Sequence, residues 1–159
     1  MSPVTPDGVR YWLPTANPGV YKALVALQRA SADGLDRELV ELMKIRASQL
    51  NGCAYCLHMH LSDALGLGMD PITLGMVGVW RECLSMFDEK SRAALELTEY
   101  VTRIGDDGVP DEVYERVRSV FGDEAFGQVL ASIAMINVWN RIALTGGYPA
   151  GLDERTVHS

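Results

Sequence analysis

Apolar positions recur at helical spacing along almost the whole chain, and the runs are bounded by residues that start and stop helices. Asn17 before Pro18 is a cap followed by a first-turn proline, and Val20, Leu24 and Leu27 carry an apolar stripe toward Ala32. Asp36 caps a second helix over Arg37–Asn51, which Gly52 ends. A third begins at Cys53 and runs to Leu65, closed by Gly66-Leu67-Gly68. Asp70-Pro71 opens the next, toward Cys83 or Phe87, and Asp88 begins a long amphipathic helix through Ala93, Leu97, Tyr100 and Ile104. Gly105-Asp106-Asp107-Gly108 stops it, Pro110-Asp111 starts a short helix to Phe121, and Gly122-Asp123 caps the last one, Glu124–Thr145. No stretch alternates apolar and polar residues long enough to read as a half-buried strand. The pattern predicts an all-α domain over 18–146. It is preceded by an extended arm over 1–17, rich in proline (Pro3, Pro6, Pro14), and followed by a tail over 147–159.

The last helix is apolar on most of its circumference. Phe126, Leu130, Ile133, Asn137, Asn140 and Leu144 form one stripe, flanked by Val129, Ile136, Trp139 and Ala143. Such a helix is central or lies in a subunit interface. Two amides on its apolar face then need partners, because an unsatisfied buried amide costs about 1–3 kcal/mol. Hydrogen bonding to neighbouring helices meets that need; lining a small polar pocket is the alternative.

Composition narrows the function classes. Of 159 residues 48% are hydrophobic, enough for one domain with a sizeable core. Basic and acidic residues balance at 14 − 21 = −7, which argues against nucleic acid or an anionic membrane surface as the main partner. Three cysteines make a disulfide-stapled secreted scaffold a poor fit. The N-terminus shows no basic and apolar leader, and Val129–Trp139 is too short to cross a bilayer, so a cytoplasmic protein is the expectation.

The chemistry concentrates in Asn51-Gly52-Cys53-Ala54-Tyr55-Cys56-Leu57-His58-Met59-His60. At about 100° of rotation per residue, Cys53, Cys56 and His60 share one sector about 60° wide, while His58 points away. Two cysteines three apart on one helical face can join in a disulfide. The first turn of a helix favours an anion and can bring a thiol pKa from about 8.5 into the range of roughly 3.5–7.5, and the thiolate is the form that attacks peroxides and disulfides. His60, one turn beyond Cys56, is an available proton acceptor. If the chain folds back at Gly52, position 41 comes opposite position 63, and Glu41 falls within about one turn of His60. In a straight continuation Glu41 would be roughly 18 Å from Cys53.

The pattern Glu41, eleven residues, Cys53-x-x-Cys56, three residues, His60 resembles the signature of the AhpD-like alkylhydroperoxidases, within the carboxymuconolactone decarboxylase family of small all-helical proteins. Met135-Ile136-Asn137-Val138-Trp139-Asn140-Arg141 is similar to the second half of those sequences, so the likeness spans roughly 18–146. The resemblance implies a helical bundle around a hairpin carrying the CxxC motif. It further implies a thiol peroxidase or disulfide reductase whose cysteines cycle between dithiol and disulfide, with Glu41 and His60 assisting proton transfer. No bound cofactor is implied; the reductant would be an external dithiol, thioredoxin-like or lipoyl, and the assembly a homo-oligomer, trimer or hexamer. The best-known members carry a His between the cysteines, where this chain has Tyr55.

Other readings compete at each position. Glu41 shares a helical face with Lys44 and Ser48, as a solvated carboxylate would. Cys53, Cys56, His60 and Glu41 could supply four zinc ligands, though there is no second CxxC. Cys83 reads as a small buried hydrophobe. The first attacking thiol is open: placement at the helix start favours Cys53, and proximity to His60 favours Cys56. Rival functions are a decarboxylase or lyase of the carboxymuconolactone type, which would need neither cysteine, and a non-catalytic redox sensor.

Overall fold

The capping signals act as the local chemistry dictates. In the computed structural model, which describes residues 5–155, the carboxylate of Asp36 accepts a hydrogen bond from the Leu39 amide and opens the helix Arg37–Asn51. Asn17, Asp70 and Asp88 cap Pro18–Ala32, Pro71–Met76 and Glu89–Thr102 in the same way. Counting a short turn at Leu13–Ala16 as α1, these are α2 (Pro18–Ala32), α3 (Arg37–Asn51), α4 (Ala54–Gly66), α5 (Pro71–Met76) and α6 (Glu89–Thr102), with α7 at Asp111–Gly146. The described residues contain no strand.

Two segments depart from expectation. The helix expected to run from Pro71 to Cys83 or Phe87 ends at Met76, and tight turns of 3₁₀ type follow at Val77–Glu82 and Leu84–Met86. Gly75, Gly78 and the β-branched Val77 and Val79 weaken an α-helix there. The 3₁₀ geometry brings residues three apart onto one side, which sends both Val77 and Trp80 into the core. Part of the arm is helical rather than extended: Pro14 sits in the first turn of α1, where its missing N–H costs nothing. Trp12 and Leu13 are buried, Trp12 stacks on Tyr148 at 4.6 Å, and the Leu13 amide donates to the Tyr148 hydroxyl at 3.0 Å. The ends of the expected arm and tail, residues 1–4 and 156–159, lie outside the described residues. The two helices expected on either side of Gly122 are present and meet there without a loop: Gly122 takes φ +75° and ψ 166°, a non-helical break inside α7.

Helix α3 is central and packs on α4, α6 and α7. One core cluster joins Val40, Met43 and Leu97 with Val129 and Ile133 of α7; a second gathers Leu42, Ile45, Leu74 and Trp80; a third surrounds the cysteines. The amides of α7 bond to neighbouring helices. Asn51 donates to Asn137 at 2.9 Å and to Asn140 at 2.8 Å, Asn140 donates to Ser48 at 3.1 Å, and Asn137 to Thr102 at 3.0 Å. By length and composition α7 could cross a bilayer, but its packing on α2, α3 and α6 and these side-chain bonds make it a core helix.

Candidate active site

Helices α3 and α4 form the hairpin that the site requires. Gly52 takes φ +69°, a conformation that only glycine enters cheaply, and the Cys53 amide then donates back to the Ser48 carbonyl at 3.0 Å. Cys53 is thereby the residue that caps α4, its sulfur accepting from the Cys56 amide at 3.3 Å. Cys56 lies in the first turn of α4, where backbone N–H groups and the helix dipole favour a negative sulfur. The two sulfurs are joined in a disulfide across that turn, with the Cα atoms 5.4 Å apart. Both residues are buried.

One turn further along, His60 Nδ1 lies 2.9 Å from Glu41 Oε2, the contact that the folded-back hairpin predicts. Glu41 Oε1 accepts from Lys44 at 3.1 Å, so the pair expected of a solvated carboxylate is present as well. Glu41 is nonetheless buried, only 7% exposed, because α4 covers that face of α3. Burial alone would raise the Glu41 carboxyl, but the hydrogen bond and charge of His60, followed by those of Lys44, outweigh it and hold the group below the ordinary carboxylate range. An ionised Glu41 accepts the Nδ1–H of His60, which leaves Nε2 as the ring atom for proton exchange.

Cys56 and His60 line a cavity of about 620 Å³ whose walls also include Tyr21 and Lys22 of α2, Tyr55 and Met59 of α4, Trp139 of α7, and Tyr148. Cys53 does not line it. Tyr55, in the position between the cysteines, is buried; its ring meets Tyr148 edge-on at 5.1 Å and its hydroxyl accepts from the Glu154 amide at 3.3 Å. Arg155 then grips Asp63 with two bonds of 2.8 and 3.1 Å. The segment after α7 therefore closes one side of the cavity. Within it, burial pushes the Glu154 carboxyl up, and its Oε2 is buried with no partner among the described residues.

The other candidates lie apart. His58 is exposed. Cys83 is partly buried in the second core cluster, its thiol directed at the Val79 and Trp80 carbonyls. Ligand atoms of Glu41, His60 and Asp63 come within 4.8 Å of one another, but each carboxylate already holds a cation of the chain, Lys44 on Glu41 and Arg155 on Asp63. That arrangement suits proton transfer better than metal binding. The cavity residues Tyr21, Tyr148 and Arg155 carry no spacing signal, and the spacing that puts Trp139 on the apolar face of the last helix does not place it beside the sulfurs.

Residues 18–100, which hold Glu41 and the whole CxxC helix, match the carboxymuconolactone decarboxylase family. The chain belongs to that family. It is 42% identical over 113 residues to the uncharacterized protein YdfG of Bacillus subtilis, covering 71% of this chain and 76% of that one. A crystal structure from Agrobacterium tumefaciens, of a protein of unknown function for which an AhpD-type antioxidant defence role has been suggested, superposes with a TM-score of 0.85 at 34% identity. The match covers 91% of this chain and 99% of the other. The AhpD core of an uncharacterized peroxidase-related protein from Ralstonia eutropha shares the fold, with a TM-score of 0.74 at 23% identity over 89% and 75% of the two chains. The chain is an AhpD-like member of the family.

Proposed function

We propose that the protein is a thiol-dependent reductase of organic hydroperoxides. The supporting observation is a pair of sulfurs in bonding contact one turn from an imidazole whose Nδ1 is held by a buried carboxylate. In the reduced protein the Cys56 thiolate, which faces the cavity, attacks the terminal oxygen of ROOH. A sulfur–oxygen bond forms, the O–O bond breaks, and the departing alkoxide leaves as ROH with the proton that His60 carries. Cys53 then attacks the sulfenic sulfur, forming the Cys53–Cys56 disulfide and releasing water. An external dithiol exchanges with that disulfide, returning two thiols and leaving as its own disulfide. The sum is ROOH plus dithiol giving ROH, water and oxidised dithiol. Glu41 acts as a positioning residue that fixes the imidazole tautomer.

A reducing compartment suits this cycle, and the cytoplasm is the expected location. The partner is a small dithiol, a thioredoxin-like protein or a lipoyl group. Exposed apolar side chains on α2 and α7, Val20, Leu27 and Leu130 among them, support self-association as a trimer or hexamer. The test is consumption of cumene hydroperoxide with excess dithiothreitol: wild type turns over repeatedly, Cys56→Ser consumes no peroxide above background, and Cys53→Ser slows because dithiothreitol must then reduce the Cys56 sulfenic acid directly. Full turnover in the doubly substituted protein would refute the reading.

A further inference from the structure

The distribution of charge around the cleft is opposite to that of the chain. The cavity that holds Cys56 and His60 shares Gln28, Arg29, Lys44, Asp63 and Arg155 with a second cleft of about 710 Å³, so the two are contiguous. Together they are lined by Lys22, Arg29, Arg37, Lys44 and Arg155 but only three acidic residues, Glu41, Asp63 and Glu154. Five of the 14 basic residues but three of the 21 acidic ones thus gather here, a local +2 in a chain of net charge −7. Lys44 and Arg155 are neutralised by Glu41 and by Asp63 with Asp153. Arg37 of α3, Lys22 and Arg29 pair with no carboxylate among the described residues; Arg37 lines only the second cleft, whereas Lys22 and Arg29 line the cavity that holds Cys56. They stand seven positions apart on α2, hence on one face and about 10 Å apart along the axis. Val25 and Ala26, between them, line the same wall.

The space between those cations and the sulfur is large, with four aromatic side chains in its walls. Tyr21, Trp139 and Tyr148 contribute walls to a cavity of about 620 Å³. That volume is in the range of about 300–1,000 Å³ typical for drug-sized ligands, and far above the roughly 30 Å³ that a water-sized molecule occupies. Hydrogen peroxide would leave the apolar walls and both free cations without a role.

We infer that the cleft selects an anionic amphipathic substrate, a hydroperoxide with a long apolar body ending in a carboxylate. Lys22 and Arg29 receive the carboxylate, the aromatic walls hold the body, and the O–O bond lies at Cys56. The inference rests on the peroxide reductase reading for its reaction but not for its binding mode.

The experiment therefore has two arms. In the first, linoleate hydroperoxide and its methyl ester are compared below their aggregation concentrations as substrates, with dithiothreitol. In the second, the unreactive hydroxy acid and its methyl ester are compared by calorimetric binding. Two partly solvated cations give the acid an advantage of about three- to tenfold, in KM in the first arm and in Kd in the second. The double variant Lys22→Gln with Arg29→Gln, both exposed positions whose change spares the core, brings the acid-to-ester ratio to about one, and so does high salt. Equal binding of acid and ester by wild type, or an acid preference that survives the double substitution, would overturn the inference. Loss of the first arm alone, with the binding preference intact, would sink the reductase reading and leave the carboxylate subsite standing.

Discussion

Replacing Glu41 with glutamine removes one charge and no volume, and the structure dictates how the new amide must sit. Lys44 is only a donor, so the amide carbonyl oxygen has to face it, taking the place of Oε1 at 3.1 Å. The amide NH₂ then faces His60 Nδ1 across the former 2.9 Å contact and donates to it. That inverts the tautomer: Nδ1 becomes the acceptor, the proton moves to Nε2, and the imidazole no longer receives a proton from a thiol. General acid–base contributions are typically about 10²–10⁴-fold, so the peroxide step should slow by at least about 100-fold while the dithiol still reduces the disulfide. Single-turnover kinetics on the pre-reduced protein separate the two steps.

Stability should fall too. Charge-assisted hydrogen bonds contribute about 1.5–3 kcal/mol each, discounted here because Lys44 can swing toward water, which leaves a loss of about 1–3 kcal/mol. The sign of its pH dependence follows from the depressed Glu41 carboxyl. Below the unfolded value of about 4.3 the unfolded chain binds the extra proton, so the stabilisation is present above that pH and disappears as pH falls through the lower folded value. Urea titrations at pH 7 and pH 3 should show a wild-type advantage that is smaller at the second than at the first. A Glu41→Gln protein within twofold of wild-type single-turnover rate from pH 6 to 8 would refute the role given to the carboxylate.

Two further outcomes probe the frame around the site. Asn140→Ala should cost about 2–4 kcal/mol, since it opens a cavity, removes one of the two acceptors of the Asn51 amide and leaves the Ser48 hydroxyl without its donor; thermal unfolding reads this as a drop of about 5–15 °C. Gly52→Ala meets nothing within 4 Å, so its cost is the left-handed backbone alone, about 1–2 kcal/mol, and a loss above about 4 kcal/mol by urea titration would show that the hairpin tolerates no Cβ there.

Legibility in the sequence followed the range of the interactions. The caps Asn17, Asp36, Asp70 and Asp88 act within three residues of themselves, and all four were readable. Cys53, Cys56 and His60 lie within two turns of one helix, so rotation alone put them on one face. Glu41 needed one more step, the reversal at Gly52, and its wheel position alone suggested a solvated group because the wheel cannot show that α4 lies over it. The turns at 77–86 escaped because a run of apolar residues looks alike whether it buries by α or 3₁₀ geometry. Trp139, Tyr148 and Arg155 reach the cleft only through tertiary packing, and Trp12 lies behind it against Tyr148. The Trp12–Tyr148 stack spans most of the chain, and no local pattern encodes it.

The account depends on Cys53 and Cys56 exchanging between dithiol and disulfide while Cys83 stands aside. Fully reduced protein should be mixed with one equivalent of cumene hydroperoxide, quenched with an alkylating reagent, and weighed intact by mass spectrometry. Reduced protein takes up three alkyl groups, one for each cysteine of the sequence. After peroxide the account predicts one, carried by Cys83. Three alkyl groups on protein that has consumed its peroxide, or a disulfide that includes Cys83, would contradict it.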